Sequence, residues 1–492
     1  MRLRGYCDSQ STSRESERTS GAPGPSRGGG AWSGAHHYRV RMLARLRKPA
    51  LAGLIVLCGL AWLAPSGSAR RSSVAHAAAA DALHGVNISS PFMGGLNLGT
   101  LSFSASASSL AHTMALARTL HAQVVRVEIP WTVLEPYGPG QVDQGALAYT
   151  DQLVADAQAH GIKLIMFAEG TPCWASSAPA PILAKCVPGQ PSAAAAWPPT
   201  NDADFARYTA FLAQRYGADL AALEIWNEPD QVNEHYLAGP EKPLRYAELL
   251  RAAYPAIKAV APTLPVLGGS LVGSNGAFLR ALYKDGAKGY YDGLSVHFYH
   301  LTLASLRSIH EVQVENGDNT PLWLNEFGFS SCWPRHKIQQ EQACVTRQQQ
   351  ASNLASLVHS VAHVPYVASA VVYKLQNSTG EEFGVVTTSG THKLSFGALA
   401  NAFASPLASP GRVRLRLRRA GGSLIAFGSA PPGDYMRLEV KQHGQLRYHA
   451  LFTLNRANGY ALRLPAALGT SGLSVSVYQY SLGSARAAHA YG

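Results

Sequence analysis

Short apolar runs recur along the middle of this 492-residue chain, at 85–88, 124–129, 163–167, 222–226, 265–268, 293–297, 322–325 and 368–373. Between them lie longer amphipathic stretches, at 108–121, 149–160, 203–216, 243–260, 277–285 and 348–363. Runs this short read as strands buried on both faces, and the longer stretches read as helices that cover them. Strands alternating with helices are the signature of a parallel sheet. Eight such units in roughly 320 residues fit a closed (β/α)8 TIM barrel, a fold that takes about 250 residues before insertions. The predicted fold class is therefore α/β, with function expected at the carboxyl ends of the strands.

The chain is too long for one domain, and residues 81–405 are assigned to the barrel. Residues 1–80 are rich in Ser, Gly and Arg and show no apolar pattern until a run at 50–64, which Arg45, Arg47 and Lys48 precede. A basic flank, a run shorter than the ~20 residues of a membrane span and small residues afterwards make a secretory signal. Ala75-His76-Ala77 is its candidate cleavage site and Met42 its expected initiator. The site lies farther from the run than is usual, so an uncleaved N-terminal membrane anchor stays open as a second reading. Cys58 is not read as a lipidation site, because Leu57 is too bulky to precede one. The expected location is secreted or cell envelope.

Residues 406–492 change character, with short alternating runs bounded by Gly and Pro that suggest a small basic β-sandwich. Arg412, Arg414, Arg416 and Arg418 alternate with Val413, Leu415 and Leu417, which puts arginines on one face and aliphatics on the other. The row suits an acidic polysaccharide or an anionic envelope surface, and it suits equally a solvated strand face packed on the barrel. The formal net charge of +12 hides a split: 12 basic and 3 acidic residues in the first 80, 19 and 25 in 81–405, and 11 and 2 beyond. An acidic barrel argues against nucleic acid as the substrate, since phosphate contacts need clustered Lys and Arg.

Removal of the leader takes Cys7 and Cys58 with it and leaves Cys173, Cys186, Cys332 and Cys344. They fall in two close pairs, which in an oxidising compartment are candidates for disulfides, although four cysteines allow three pairings and free buried thiols are the alternative. Neither pair has the C-x-x-C spacing of a zinc site, and neither a metal nor an organic cofactor is expected.

Polar clusters stand at four strand ends. Glu228 follows the fourth run in Trp226-Asn227-Glu228-Pro229, and Glu326 ends the seventh in Trp323-Leu324-Asn325-Glu326-Phe327-Gly328. His297 and Tyr299 follow the sixth, and Arg126 lies in the second. Asn-Glu-Pro alone is a weak match in a long chain, but the coincidence with the functional face of a barrel is not. Two such carboxylates are the equipment of a retaining glycosidase.

These residues resemble the clan of retaining glycoside hydrolases that carry catalytic glutamates on strands 4 and 7 of a TIM barrel. Leu223-Glu224-Ile225-Trp226-Asn227-Glu228-Pro229 is similar to the acid/base strand of families 5 and 39, and the Glu326 motif to their nucleophile strand. Arg126-Val127-Glu128-Ile129-Pro130-Trp131, Thr171-Pro172-Cys173-Trp174 and Asp292-Gly293-Leu294-Ser295-Val296-His297-Phe298-Tyr299 match at strands 2, 3 and 6, with family 39 the closer style. Strand 8 departs, with Val371-Val372-Tyr373 where such enzymes often carry tryptophan.

The resemblance implies that Glu326 attacks the anomeric carbon and Glu228 protonates the leaving oxygen, with carboxyls about 5–5.5 Å apart. Repulsion by ionised Glu326 is expected to raise the proton affinity of Glu228. It further implies that Asn227 bonds the sugar 2-hydroxyl, that Arg126 holds Glu326 ionised, that Tyr299 donates to Glu326 and that His297 packs beside them. Arg126 pairing only with Glu128 or Glu224 is the competing reading. Trp131, Trp174, Trp226, Trp333 and Tyr373 are each either a platform for a sugar face or ordinary packing. Loops 173–200 and 330–344 are expected to wall the cleft. The expected function is a secreted retaining β-glycosidase acting on a poly- or oligosaccharide. A transglycosylase on the same site and a non-catalytic carbohydrate-binding envelope protein are the alternatives.

Overall fold

The computed structural model describes residues 92–99, 106–299, 303–332, 344–409, 411–433, 435–455, 458–468, 471–481 and 484–491, all within one of the two compact units of the chain. The leader with its apolar run and cleavage site, the run at 85–88, and most of the loop between Cys332 and Cys344, Trp333 included, lie outside these residues.

Eight parallel strands close a barrel: β1 (Met93–Asn97), β2 (Val124–Pro130), β3 (Lys163–Glu169), β4 (Leu220–Ile225), β5 (Val266–Leu271), β6 (Gly293–His297), β7 (Leu322–Phe327) and β8 (Val367–Tyr373). Each pairs with the next, and β8 returns to β1 with Asn97 opposite Tyr373. Seven strands stand where the apolar runs place them. The first is corrected: Met93–Asn97, not 85–88, closes the barrel. Its glycines disguise it as a turn, yet a Cβ at Gly94 would lie 2.4 Å from the Phe403 ring and one at Gly95 2.4 Å from the Val124 carbonyl oxygen. Close approach of β2 and of the helix Leu394–Ala404 requires small residues there.

The expected helices form as Ala107–Thr119, Gln144–Ala159, Asp202–Tyr216, Lys242–Val260, Ala277–Lys284 and Arg347–Ala362. Capping explains several starts. Asp143 accepts from the Ala146 amide, Asn201 from Ala203, and Thr346 and Gln349 form a reciprocal capping box. The apolar faces of these helices pack on the outside of the barrel in one large core.

Inside the barrel, residues two apart along a strand share a face. The lowest layer is apolar, with Val124, Ile165, Ala222, Leu267, Trp323 and Val371 in a separate cluster. Two residues further along these strands stand Arg126, Phe167, Glu224, Gly269, Asn325 and Tyr373. An apolar plug thus supports a polar layer, and the next positions open at the carboxyl ends.

Beyond the helix Leu394–Ala404 come β9 (Arg414–Ala420), β10 (Ser423–Ser429), β11 (Tyr435–Gln442), β12 (Gln445–Phe452), β13 (Gly459–Arg463), β14 (Leu473–Ser481) and β15 (Ser484–Tyr491). They form two antiparallel sheets, ordered β13-β10-β9 and β12-β11-β14-β15. Ala426, Met436, Leu438, Val440, Val475 and Val477 share a second core. Cys173–Cys186 and Cys332–Cys344 are disulfides, the local pairing of the three.

Two glycine substitutions with opposite signs test this packing. Gly95→Ala overpacks the β1–β2 contact and is expected to lower stability by about 1–3 kcal/mol. Gly397→Ala, at an exposed position of the helix Leu394–Ala404 where an added Cβ meets nothing within 4 Å, is expected to raise it by about 0.5–1 kcal/mol. Denaturant midpoints of the two variants measure both.

Candidate active site

The site begins with a buried cation. Arg126 is 1% exposed in the barrel interior, its guanidinium 3.9 Å from the centroid of the Phe167 ring. Its Nε donates to Glu224 Oε2 at 2.7 Å, its Nη2 to Asn227 Oδ1 at 2.9 Å and its Nη1 to Glu326 Oε2 at 3.3 Å. Both expectations for Arg126 thus hold a part, since it pairs with Glu224 and also reaches Glu326. Glu224 is fully buried and takes further bonds from Ser270 Oγ and from Asn325 Nδ2, the latter at 3.3 Å. Burial pushes Glu224 up, but the charges of Arg126 and His297 and the bonds from Arg126 and Ser270 outweigh it and hold the carboxyl below the usual range.

Glu228 follows β4 in a tight turn whose Trp226 and Glu228 both have positive φ, 67° and 44°. Left-handed backbone is uncommon for such residues and is tolerated where the surroundings fix it. Here the Trp226 amide continues the ladder to the Ala168 carbonyl at 2.9 Å, and its indole donates to the Tyr236 carbonyl at 2.8 Å. The turn presents Asn227 and Glu228 together. With Asn227 Oδ1 occupied by Arg126, its amide NH2 is the group left to donate.

Glu326 reaches the same space because β7 breaks register between Leu324 and Phe327, which sets His297 of β6 opposite Glu326. Its Oε2 accepts from Asn97 Nδ2 at 2.7 Å as well as from Arg126, and its Oε1 accepts from the Tyr299 hydroxyl. Glu228 accepts from Gln231 Nε2 at 2.7 Å and meets His297 Nδ1 at 2.9 Å. The His297 Nε2 is buried and has no partner among the described residues. Facing a carboxylate, which can only accept, Nδ1 is the donor of this contact.

One carboxylate oxygen from Glu228, one from Glu326 and a nitrogen of His297 all lie within 4.8 Å of one another. Among the described residues this is the cluster spaced to hold a metal ion. A cation there would compete with the Arg126, Asn97, Tyr299 and Gln231 donors already on these oxygens. The two carboxyls lie close enough that each affects the titration of the other. Burial lifts Glu326, and although His297 and Arg126 oppose it the net direction is up. Burial lifts Glu228 too, but the hydrogen bond and charge of His297, with Gln231 and Arg126, bring it below its ordinary value. Burial thus dominates at Glu326, and the His297 contact dominates at Glu228. The expected repulsion by Glu326 is opposed at Glu228 by His297, whose Nδ1 lies 2.9 Å from the Glu228 carboxyl.

A second carboxyl pair stands beside the first. Glu169, the last residue of β3, is hydrogen-bonded to Glu128 of β2, and burial first and Glu128 next push its proton affinity well up. Five carboxyls, Glu128, Glu169, Glu224, Glu228 and Glu326, thus gather around one guanidinium.

The aromatic expectations divide. Trp131 is wholly buried, stacks on Tyr208 and donates to Glu135 Oε2 at 2.7 Å, so it is packing and not a sugar platform. Trp226 is likewise wholly buried. Trp174 is partly buried, edge-on to Trp131, with its indole bonded to the Glu135 carbonyl at 2.9 Å. Tyr373 is half-buried at the end of β8 and meets Tyr299 and Phe383 edge-on, with centroids 5.9 and 5.6 Å away. Asn97, Gln231, Phe383 and the Glu128–Glu169 contact are additions that the motifs did not supply.

Solved structures similar to this chain include glycoside hydrolases. A family 39 glycoside hydrolase from Bacteroides cellulosilyticus is similar with a TM-score of 0.50 and 18% identity over 76% of this chain and 79% of that one. A family 30 endoxylanase from Clostridium papyrosolvens has a TM-score of 0.48 at 12% identity, covering 83% of this chain and 98% of that one. A family 39 enzyme from Xanthomonas axonopodis pv. citri has a TM-score of 0.47 at 13% identity, covering 80% and 95%. At 18% identity the first of these speaks to fold alone, and the likeness of the other two is too slight to carry either fold or function. No curated protein matches the sequence. The family described as cellulase, glycosyl hydrolase family 5, matches residues 90–361, more than half of the chain. On that match, and with its two glutamates at the ends of β4 and β7, the chain belongs to glycosyl hydrolase family 5, within a clan of retaining glycoside hydrolases.

Proposed function

We propose that this glycoside hydrolase is an exported β-glycosidase that cleaves a poly- or oligosaccharide by double displacement, with Glu326 as nucleophile and Glu228 as acid and then base. The observation that carries the reading is the approach of Glu228 and Glu326 oxygens within 4.8 Å. Oxygens this near suit the closely set carboxyls of a retaining enzyme, about 5–5.5 Å apart, better than the about 6.5–9.5 Å of an inverting one. The three donors on Glu326 fit a group that must be ionised to attack, and the pair holds the one proton that the leaving oxygen requires. Once Glu326 is esterified, Glu228 faces a neutral ester and can take a proton from water. Asn227 is placed to donate to the sugar 2-hydroxyl, a bond that strengthens as the oxocarbenium-like transition state forms.

The lining also speaks to the substrate. Even with Glu169 protonated, the carboxyls of Glu128, Glu224, Glu228 and Glu326 outnumber the one guanidinium, a balance that disfavours a uronate, so the sugar at the scissile position is taken to be uncharged. Export is supported by the two disulfides, which persist in oxidising compartments. No helix among the described residues is long and apolar enough to cross a membrane.

The parent chain and its Glu326→Ala variant, incubated with xylans, glucans, mannans, galactans and acidic polysaccharides, test the reading. New reducing ends of retained configuration are expected from a neutral polymer with the parent, and about 10⁴-fold less with the variant. Products of inverted configuration, or release from acidic polymers only, would overturn it.

The pH profile tests the partners of Glu326. The Tyr299 bond lowers the proton affinity of Glu326, so Tyr299→Phe lets that carboxyl hold its proton to higher pH. The acid limb of kcat/KM is expected to move upward, and an unmoved limb would contradict the assignment. Asn97→Ala removes a neutral donor from the same carboxylate and is expected to lower kcat/KM by about tenfold.

A further inference from the structure

The outer face of the three-stranded C-terminal sheet carries charge that the barrel does not use. Arg414, Arg416 and Arg418 of β9 are exposed, Leu415 and Leu417 turn toward the second core, and exposed Arg412 extends the row. Alternate residues of a strand lie about 7 Å apart on one face. The register sets Arg414 opposite Ser429, Arg416 opposite Phe427 and Arg418 opposite Ile425. On the far side, β13 brings Ala461 beside Phe427 and exposed Arg463 beside Ile425.

No residue of β9, β10 or β13 is acidic, and among the described residues these arginines form no ion pair. The Arg418 guanidinium stands 5.5 Å from the centroid of the half-buried Phe427 ring. Because β9 is an edge strand, one or two charges would guard it against strand addition. A continuous row with a further arginine across the sheet and no acidic counterpart exceeds that need, since like charges at this spacing repel.

We propose that this face docks an acidic polysaccharide. Guanidinium groups bind carboxylates in bidentate fashion, and a phenyl ring beside them takes the apolar C–H face of a sugar. Preference for a polysaccharide over other polyanions rests on the glycosidase reading of the barrel. The acidic polymer is held and not cut, because the carboxyl-lined cleft repels the units that the arginine row attracts. The two surfaces thus divide the work: the sheet keeps the enzyme on an anionic matrix, and the cleft takes a neutral partner polymer or segment.

Affinity electrophoresis of the full chain in gels containing polygalacturonate, with dextran as the uncharged control, tests the surface. Retardation is expected with polygalacturonate and not with dextran, and it is expected to fall as NaCl is added. The Arg414→Gln/Arg416→Gln/Arg418→Gln variant is expected to bind about tenfold or more weakly, with an unchanged unfolding midpoint and unchanged hydrolysis of a small aryl glycoside. Absence of retardation, equal retardation of the variant, or tighter binding to duplex DNA or phosphatidylserine vesicles would overturn the proposal. Arginine-dependent retardation by a chain that hydrolyses no glycoside would leave the surface standing and remove the glycosidase reading.

Discussion

A guanidinium in the middle of a barrel has to be neutralised where it stands, and the bonds that neutralise Arg126 also organise the site. Stripping an ion of water costs several kcal/mol, which attraction offsets only when the geometry is good and the remaining donors are used. Arg126 uses its donors on Glu224 below, Asn227 beside it and Glu326 above. Glu224 is held in turn by Ser270 and Asn325, and Asn325 accepts from Ser369 at 3.1 Å. One network therefore ties β2, β4, β5, β7 and β8 together and ends on the carboxylate that is assigned the attack. The interior that stabilises the barrel and the frame that aims its chemistry are the same set of bonds.

That arrangement explains which parts of the molecule were legible in the sequence. Strands buried on both faces must be apolar over a fixed short length, so seven of them stood out as runs. The first did not, because Gly94 and Gly95 are there to let Phe403 and Val124 approach. Asn97 was missed with it, although an asparagine between Leu96 and Leu98 ahead of the first helix was the available signal. Glu228 and Glu326 were legible because each ends its run in a polar turn at the functional face. Trp131 was misleading for the same reason, since an indole after a strand looks alike whether it faces sugar or core. Glu135, four residues on and bonded to it, was the mark of a packed partner.

Proton position was not legible at all. The directions in which Glu228 and Glu326 are pushed come from burial and from which carboxyl His297 touches, and neither is a property of spacing along the chain. The Glu128–Glu169 contact likewise exists only because β2 and β3 pair with Pro130 opposite Glu169, which brings two side chains 41 positions apart to one rim. The division of charge was visible earlier, as an acidic barrel followed by a basic tail. What the fold adds is place: acid gathers at the strand ends of the barrel, and base lines the outer face of one small sheet.

The central claim is that Glu326 forms a covalent bond to the sugar. Mass spectrometry of the protein after incubation with activated 2-fluoro β-glycosides of glucose, xylose, mannose and galactose tests it most directly, because the fluorine slows release of a glycosyl-enzyme. The account predicts a one-sugar adduct on the peptide that contains Glu326, absent from Glu326→Ala. An adduct on Glu228, or inverted product with no adduct from a substrate that is turned over, would contradict it.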